Sequence, residues 1–514
     1  MEAIRKPVPA AGRVFPQDRH NLELVANVRP HGWENPDPAP RYNMVVLGAG
    51  TAGLVTAAGS AGLGARVALV ERHLMGGDCL NVGCVPSKSL IRSSRVSFDI
   101  RSADRYGVRS GGNGAVDFPA VMERMRRLRA GISGHDSAER FRSLGVDVFF
   151  GDGRFAGPDT IEVEGKALRF SKAVIATGAR AAVPSVHGLA DAGFVTNETV
   201  FSLTELPPRL LVFGAGPLGC ELAQAFRRFG SEVTLIERGP QFLAREDPDA
   251  AALLHAAFLA EGIEVRLNTA VTSVSVAGGE KRVHLRDNEG SEDTVPVDEI
   301  LIGAGRVPNV EGLGLETAGV RYDAAGGIAV DDFLRSTNPR VYAAGDVCLR
   351  HKFTHTADAA ARIAIQNALF LGQKKVSALT VPWCTYTDPE IAHVGMYERE
   401  ARERGIAVDT FEKKMSGVDR AVVDGEEEGF VKIHVRKGGD KILGATIVAR
   451  HAGEMINEIS LAIVGGIGLG ALANVIHSYP TQAEAIRQAA EAYNRTRLTP
   501  FVKKILGGWL ELTK

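Results

Sequence analysis

The chain has 514 residues, 45% of them hydrophobic and 24% charged, with a formal net charge of −1. That length exceeds one ordinary core and calls for roughly two to four domains, while the balanced charge argues against a nucleic-acid partner held by bulk electrostatics. Five cysteines in so long a chain cannot make a secreted disulfide scaffold, so a redox pair in a reducing compartment fits them better.

Residues 1–40 are rich in proline and polar groups and read as an arm rather than a domain. Arg5, Arg13 and Arg19 have no apolar stretch beside them long enough for a signal peptide. No apolar run reaches the ~18 residues of a transmembrane helix, so a cytoplasmic protein is expected. Tyr42 to Leu47 suits a buried parallel strand. Gly48-Ala49-Gly50-Thr51-Ala52-Gly53 closes it, a small-residue helix is expected to about Gly64, and Arg66–Val70 supplies a second strand ending at Glu71. That is a complete βαβ unit.

Next comes Gly76-Gly77-Asp78-Cys79-Leu80-Asn81-Val82-Gly83-Cys84-Val85-Pro86-Ser87-Lys88. On a regular helix, residues five apart point about 140° apart. A disulfide needs Cα atoms roughly 4.4–6.8 Å apart, so Cys79 and Cys84 can close only across a distorted helix. Gly83 can supply that irregularity, and Pro86 is tolerated in a first helical turn. A cysteine at a helix N-terminus also has a lowered thiol pKa, which suits a redox thiolate. Two buried, unreactive cysteines are the bland alternative, but packing alone would not call for this glycine, proline and lysine framing.

The βαβ unit then recurs. Leu210–Phe213 leads into Gly214-Ala215-Gly216-Pro217-Leu218-Gly219, a helix to about Gly230, and Glu232–Ile236 ending at Glu237. In both units the acid follows the third glycine by 18 residues. One GxGxxG is weak, but two in strand-turn-helix-strand context, each with its acid, are strong. Such turns let backbone N–H groups approach a pyrophosphate at a helix N-terminus, and Glu71 and Glu237 stand where ribose hydroxyls would be bound. Glu237 favours a free 2′-hydroxyl and hence NADH. Arg238 beside it could grip a 2′-phosphate, although an exposed arginine at a strand end is more often solvated. Past Gly305 come short strands, Ala343-Ala344-Gly345-Asp346 and an alanine-rich helix from about Asp358 to Leu371. From Thr380 a mixed pattern without a nucleotide motif begins, ending in a basic amphipathic tail from Arg495 to Lys514.

From about Tyr42 to Arg497 the chain resembles the pyridine nucleotide-disulfide oxidoreductases, the flavoprotein group of dihydrolipoamide dehydrogenase, glutathione reductase and mercuric reductase. Both glycine turns and the Cys79–Cys84 segment carry the resemblance. So do Ala176-Thr177-Gly178, Gly305-Arg306-Val307-Pro308-Asn309, Gly345-Asp346 and Thr387-Asp388-Pro389-Glu390. It implies an α/β fold of two Rossmann-like dinucleotide-binding domains plus a C-terminal α+β dimerisation domain. The boundaries expected are an arm at 1–40, an FAD-binding domain at 41–188 and 312–382, an NAD(P)-binding domain at 189–311, and an interface domain with tail at 383–514. The same resemblance puts FAD on the turn of Gly48, Gly50 and Gly53 with Glu71, Thr177, Gly178, Gly345 and Asp346. It puts NAD(P)H, NADH favoured, on Gly214, Gly216 and Gly219 with Glu237 and Arg238. Asp346 matches the aspartate of the flavin's ribityl chain, Lys88 the lysine near flavin N5, and Glu221 the lysine's partner. Cys84 would face the flavin and Cys79 would attack substrate. A two-fold homodimer is implied, with Tyr479 and Glu484 facing Cys79 of the partner subunit.

Departures from the family pattern bear on substrate. Enzymes acting on organic disulfides carry His-Pro-Thr with a glutamate shortly after, whereas this chain reads His477-Ser478-Tyr479-Pro480-Thr481-Gln482-Ala483-Glu484. A phenol titrates near pH 10 and cannot shuttle protons near neutrality as imidazole does. His477 reads as a buried, hydrogen-bonded core residue. Tyrosine here is a mercuric-reductase trait, but no cysteine follows Tyr493, and Cys220, Cys348 and Cys384 are isolated; no resident metal is expected. Pro217 occupies the place of an aromatic gate over the nicotinamide, and His355 is an active-site candidate that could equally cap or pack. The reading is an FAD-dependent NAD(P)H oxidoreductase, mercuric-reductase-like, that passes electrons to a small acceptor such as a metal ion or small disulfide. The alternatives are a dihydrolipoamide dehydrogenase and a redox-sensing or partner-binding flavoprotein with little turnover. Lys503, Lys504 and Trp509 of the tail read as solvated or packed on their own protein rather than on a membrane.

Overall fold

The computed structural model describes residues 14–109 and 114–514. The chain falls into two compact units, one formed by residues up to 238 with 266–379, the other by 239–265 with 380–514.

In the first unit, Tyr42–Leu47 is central in a parallel sheet between Val67–Glu71 and Lys166–Ile175, with Val146–Phe150 beyond Val67–Glu71. Val341–Ala343 adds a further parallel strand to Lys166–Ile175. Every residue of Val67–Glu71 is buried, as a parallel strand covered on both faces requires. The helix Thr51–Gly62 packs against Thr354–Leu369, leaving Ala57, Ala360 and Ala364 with 0% exposure. A second parallel set places Arg209–Phe213 between Glu232–Ile236 and Glu299–Ile302. It is accompanied by an antiparallel sheet of Thr269–Ala277, Glu280–Asp287 and Glu292–Val297. These two βαβ units match the sequence expectation, with helices Thr51–Gly62 and Pro217–Phe229 one or two residues shorter than expected.

The second unit is α+β. Its five antiparallel strands run in the order Pro382–Thr385, Glu390–Gly395, Ile442–Ala449, Phe430–Arg436, Val408–Lys414. Helices Ala452–Gly465 and Glu484–Thr496 cover the sheet through Ile459 and Ile486. Among the described residues no helix is long and apolar enough to cross a membrane.

Three segments differ from expectation. Part of the arm is packed: Asp18 accepts from the Asn21 N–H at 2.9 Å and caps the helix Arg19–Val28, whose Leu24 and Val28 are buried in the first unit's core. Arg129, itself buried, donates to Asn21 Oδ1 at 2.7 Å, and Trp33 Nε1 donates to the Val148 carbonyl at 3.1 Å. A polar-rich composition hid this because few apolar residues suffice for a short helix. Arg5 and Arg13 lie outside the described residues. The alanine-rich helix begins at Thr354, four residues earlier than expected. The tail expected from Arg495 is broken near its start: the helix Glu484–Thr496 ends there, and Thr499 caps a new helix, Pro500–Leu512, with Pro500 in its first turn.

Candidate active site

Each glycine turn ends at an uncapped helix N-terminus. Gly50 and Gly216 occupy the cap positions and offer no side-chain acceptor, which leaves backbone N–H groups available to an anion. A Cβ at Gly53 would be driven into the Gly48 carbonyl oxygen, and one at Gly219 into that of Gly214. Both turns therefore keep helix and strand in contact only because those residues are glycine. The two acids behave alike. Glu71 Oε2 accepts the Ala49 N–H at 2.7 Å, and Glu237 Oε2 accepts the Ala215 N–H at 3.0 Å. Each acid ties its own glycine loop to the next strand, a structural duty the sequence reading did not foresee. Glu71 is buried, and that burial pushes its carboxyl above the usual range while the His73 and Ala49 amides pull it back.

The cysteine segment is a broken helix. Gly77–Asn81 ends, Gly83 adopts φ −138° and ψ −111°, and a new helix runs Cys84–Arg101. A Cβ on Gly83 would lie 2.7 Å from the Asp78 carbonyl oxygen, so the break is built around a glycine. Pro86 falls in the first turn. Both cysteines are free thiols, Cys79 half-buried and Cys84 exposed. A hydrogen bond between the two thiols moves them apart: Cys79 is raised, by that bond and by burial. Cys84 is pulled down to about 6 by the same bond, helped by the Thr354 hydroxyl and the Lys88 charge and opposed by burial. Of the two thiols, Cys84 is the one shifted toward the thiolate form.

Thr354, Lys88 and Glu221 act on Cys84, and the other motif residues lie in the same unit. Thr354 Oγ1 lies 3.3 Å from Cys84 Sγ. Lys88, one turn after Cys84, donates to Glu221 Oε2 at 2.7 Å, where Glu221 is almost wholly buried on the helix Pro217–Phe229. A cavity of about 400 Å³ opens beside Cys84 and Lys88 and is lined also by Arg92, Arg124 and Leu128. Arg306 pairs with Asp78, the residue before Cys79, and its Nε approaches Asp346 Oδ2 at 3.4 Å, buried and with no hydrogen bond among the described residues. Burial raises the Asp346 carboxyl. Thr177 Oγ1 donates to the Asn309 carbonyl at 2.7 Å and Asn309 Nδ2 to the Thr177 carbonyl at 2.9 Å, binding two motifs 132 residues apart. Gly178 stands beside them with φ +69°, and the Gly178 carbonyl accepts the Asn309 N–H at 3.0 Å. Gly345, at φ +83°, turns the chain into Asp346. Arg238 is exposed at its strand end.

In the second unit Tyr479 is 70% exposed and its hydroxyl donates to Asp419 Oδ2 at 2.9 Å, which raises its pKa further above 10. Glu484 pairs with Arg487 at 2.6 Å rather than with Tyr479. The His477 side chain is 8% exposed, with Nε2 3.0 Å from Glu458 Oε1. His355 stacks on Phe353 at 5.4 Å. Cys220 is buried on its helix, and Cys348 and Cys384 are each distant in sequence from other thiols. Thr354, Asp419 and Glu458 were missed in the sequence, since nothing local marks a hydroxyl or acid whose partner lies tens to hundreds of residues away.

Residues 42–362 match the family described as pyridine nucleotide-disulphide oxidoreductase, and residues 381–490 match its dimerisation domain. The chain belongs to that family. This oxidoreductase is 33% identical to a mercuric reductase of Bacillus cereus over 96% of its own length and 78% of the relative's. It is 35% identical to a dihydrolipoyl dehydrogenase of Thermus scotoductus over 88% and 98%. Among solved structures it resembles the HOCl-induced flavoprotein disulfide reductase RclA from Escherichia coli, with TM-score 0.78, 28% identity, and 88% of this chain covering 99% of that one. LpdA from Mycobacterium tuberculosis gives TM-score 0.80 at 28% identity over 88% and 100%. The family is FAD-dependent with NAD(P)H as electron donor, and this chain is an oxidoreductase of that kind.

The first unit fits FAD. The uncapped turn at Gly50, held to the next strand by Glu71, and a buried Arg306 Nε that makes no hydrogen bond among the described residues beside Asp346 offer the donors a dinucleotide would satisfy.

Proposed function

We propose that this flavoprotein takes a hydride from NADH and passes the electron pair through a Cys79–Cys84 disulfide to a small acceptor, foremost a soft metal ion. FAD would rest on Gly48, Gly50 and Gly53, with Glu71 at the adenosine ribose, Thr177, Gly178 and Gly345 along the cofactor's path, and Asp346 at the ribityl chain. Bound there, it would accept the hydride and relay the electrons. NADH would use Gly214, Gly216, Gly219 and Glu237, leaving Arg238 solvated. The proposed nicotinamide part is 189–311, between segments 41–188 and 312–382 of the flavin part, with 383–514 as interface. Lys88 holds its positive charge near Cys84 and Glu221 fixes the ammonium, so the reduced pair keeps a thiolate at Cys84 and a thiol at Cys79. The working form is a two-fold homodimer, in line with the dimerisation domain, in which Tyr479 and Glu484 approach Cys79 of the partner subunit.

The observation that carries the choice of acceptor is Tyr479 bonded to Asp419, where the disulfide-reducing enzymes have histidine. Thiol–disulfide exchange needs a base that takes and returns the departing thiol's proton. A soft metal ion is held by the two sulfurs as the metal displaces the Cys79 proton, and the two electrons from NADH reduce one Hg(II), or two Cu(II) to Cu(I), without that base. The mercuric reductase relatives and a solved Cu(II) complex of RclA agree with a metal acceptor. NADH oxidation by the purified flavoprotein should be faster with Hg(II) or Cu(II) than with lipoamide, and Tyr479→His should raise lipoamide turnover. Efficient lipoamide turnover by the unmodified protein would overturn the assignment. A second reading, dihydrolipoamide dehydrogenase, draws on the His477–Glu458 pair, an imidazole held by a carboxylate two residues from Tyr479. Under that reading His477→Gln abolishes lipoamide turnover; under the first it leaves metal-dependent NADH oxidation intact.

A further inference from the structure

The helix Pro500–Leu512 is capped by Thr499, whose hydroxyl accepts the Val502 N–H at 3.3 Å, yet none of its residues is buried. At about 100° per residue, Phe501, Val502, Ile505, Leu506, Trp509, Leu510 and Leu512 share one half of its circumference. Lys503, Lys504, Glu511 and Lys514 occupy the other half with Gly507 and Gly508. Phe501 is 71% exposed, Trp509 66% and Leu512 85%. Such a continuous apolar stripe in water calls for a covering surface.

Two observations decide what covers it. The match to the dimerisation domain ends at residue 490, and this helix begins beyond it. Over residues 495–514 five cations accompany one anion, Glu511, in a chain whose net charge is −1. Among the described residues Lys503 and Lys504 have no ion-pair partner, while Lys514 pairs with Glu511. A second copy of this same tail would bury the apolar stripe but bring the same excess of cations to the lysines. Anionic lipid headgroups answer both. We propose that Pro500–Leu512 is an interfacial anchor that lies in the surface of a bilayer containing anionic lipid. With 13 residues it is about 20 Å long, too short for a hydrocarbon core of about 30 Å, so it lies along the membrane and does not span it. Its arrangement, with lysines on the polar face and Trp509 among Phe, Leu and Ile on the other, is that of an interfacial helix.

The test is co-sedimentation of the full-length FAD-loaded protein with vesicles of phosphatidylcholine, with and without phosphatidylglycerol. Binding is expected to the phosphatidylglycerol vesicles and to weaken as salt is raised. A lysine near an anionic surface contributes about fivefold in affinity, so Lys503→Gln with Lys504→Gln should weaken binding about thirtyfold. Ile505→Glu with Trp509→Glu should abolish it at unchanged flavin content. Absence of binding to anionic vesicles, or binding unaltered in both variants, would overturn the anchor. Sedimentation showing that Ile505→Glu with Trp509→Glu splits a dimer into monomers would also overturn it, by assigning the stripe to a second copy.

Discussion

The pair Lys88–Glu221 should control the Cys84 thiolate in two opposite directions. Lys88 stands four residues after Cys84 on one helix, and neighbours at that spacing lie about 6 Å apart. At an effective dielectric constant of about 20, unit charges at that distance interact by about 3 kcal/mol, or about 2 pH units. Cys84 is exposed and Glu221 offsets the lysine at 2.7 Å, so solvent screening and the counter-charge bring the net effect to about 1 pH unit. Lys88→Met removes the cation and should raise the Cys84 pKa by about that amount. Glu221→Gln removes the anion that opposes the thiolate and should lower it by a smaller step. The assay is a pH titration of the long-wavelength thiolate–flavin band in the reduced protein, whose midpoint reports Cys84. The band should fade at higher pH in Lys88→Met than in the unmodified protein, and at lower pH in Glu221→Gln. Shifts of the same sign in both variants, or none in either, would refute the electrostatic account, since a merely structural pair would change stability and leave the midpoint in place.

Gly83→Ala places a methyl group 2.7 Å from the Asp78 carbonyl oxygen and should cost about 2 kcal/mol, read from the urea midpoint, together with slower closure of the dithiol to a disulfide. His393 is fully buried, bonded at Nδ1 to Thr446 at 2.8 Å, and burial takes its pKa down to about 3. The unfolded chain binds that proton near pH 6.5, so the stability His393 contributes is complete above about 6.5 and is lost as pH falls toward 3. Between about pH 7.5 and about pH 5 the loss is about 2 kcal/mol in urea denaturation, and His393→Gln should flatten the profile by that amount. Glu237 should make kcat/KM higher for NADH than for NADPH, and Glu237→Ala should narrow the ratio; a preference for NADPH in the unmodified protein would contradict the ribose assignment.

Both βαβ units were legible because a parallel strand buried on two faces, a glycine turn and an acid at fixed spacing are all local features. The broken helix at Gly83 was legible for the same reason: two cysteines five apart cannot meet across a regular turn. What stayed hidden depends on long-range contact. Thr354 reaches Cys84 from 270 residues away, and Asp419 meets Tyr479 across 60. The amide bonds made by Glu71 and Glu237 were also unforeseen, because the residue type suggested a ribose partner and gave no hint that the acid first holds its own loop. The helix Arg19–Val28 escaped notice since its burial rests on a few apolar residues set among polar ones.

Anaerobic titration of the oxidised flavoprotein with NADH tests the central claim most directly. If Cys79 and Cys84 form the redox pair, the unmodified subunit should consume two hydride equivalents, one for the flavin and one for the disulfide. Cys79→Ser with Cys84→Ser should consume one while retaining its FAD. Equal consumption by the unmodified protein and this variant would contradict the account and leave the dithiol outside the electron path.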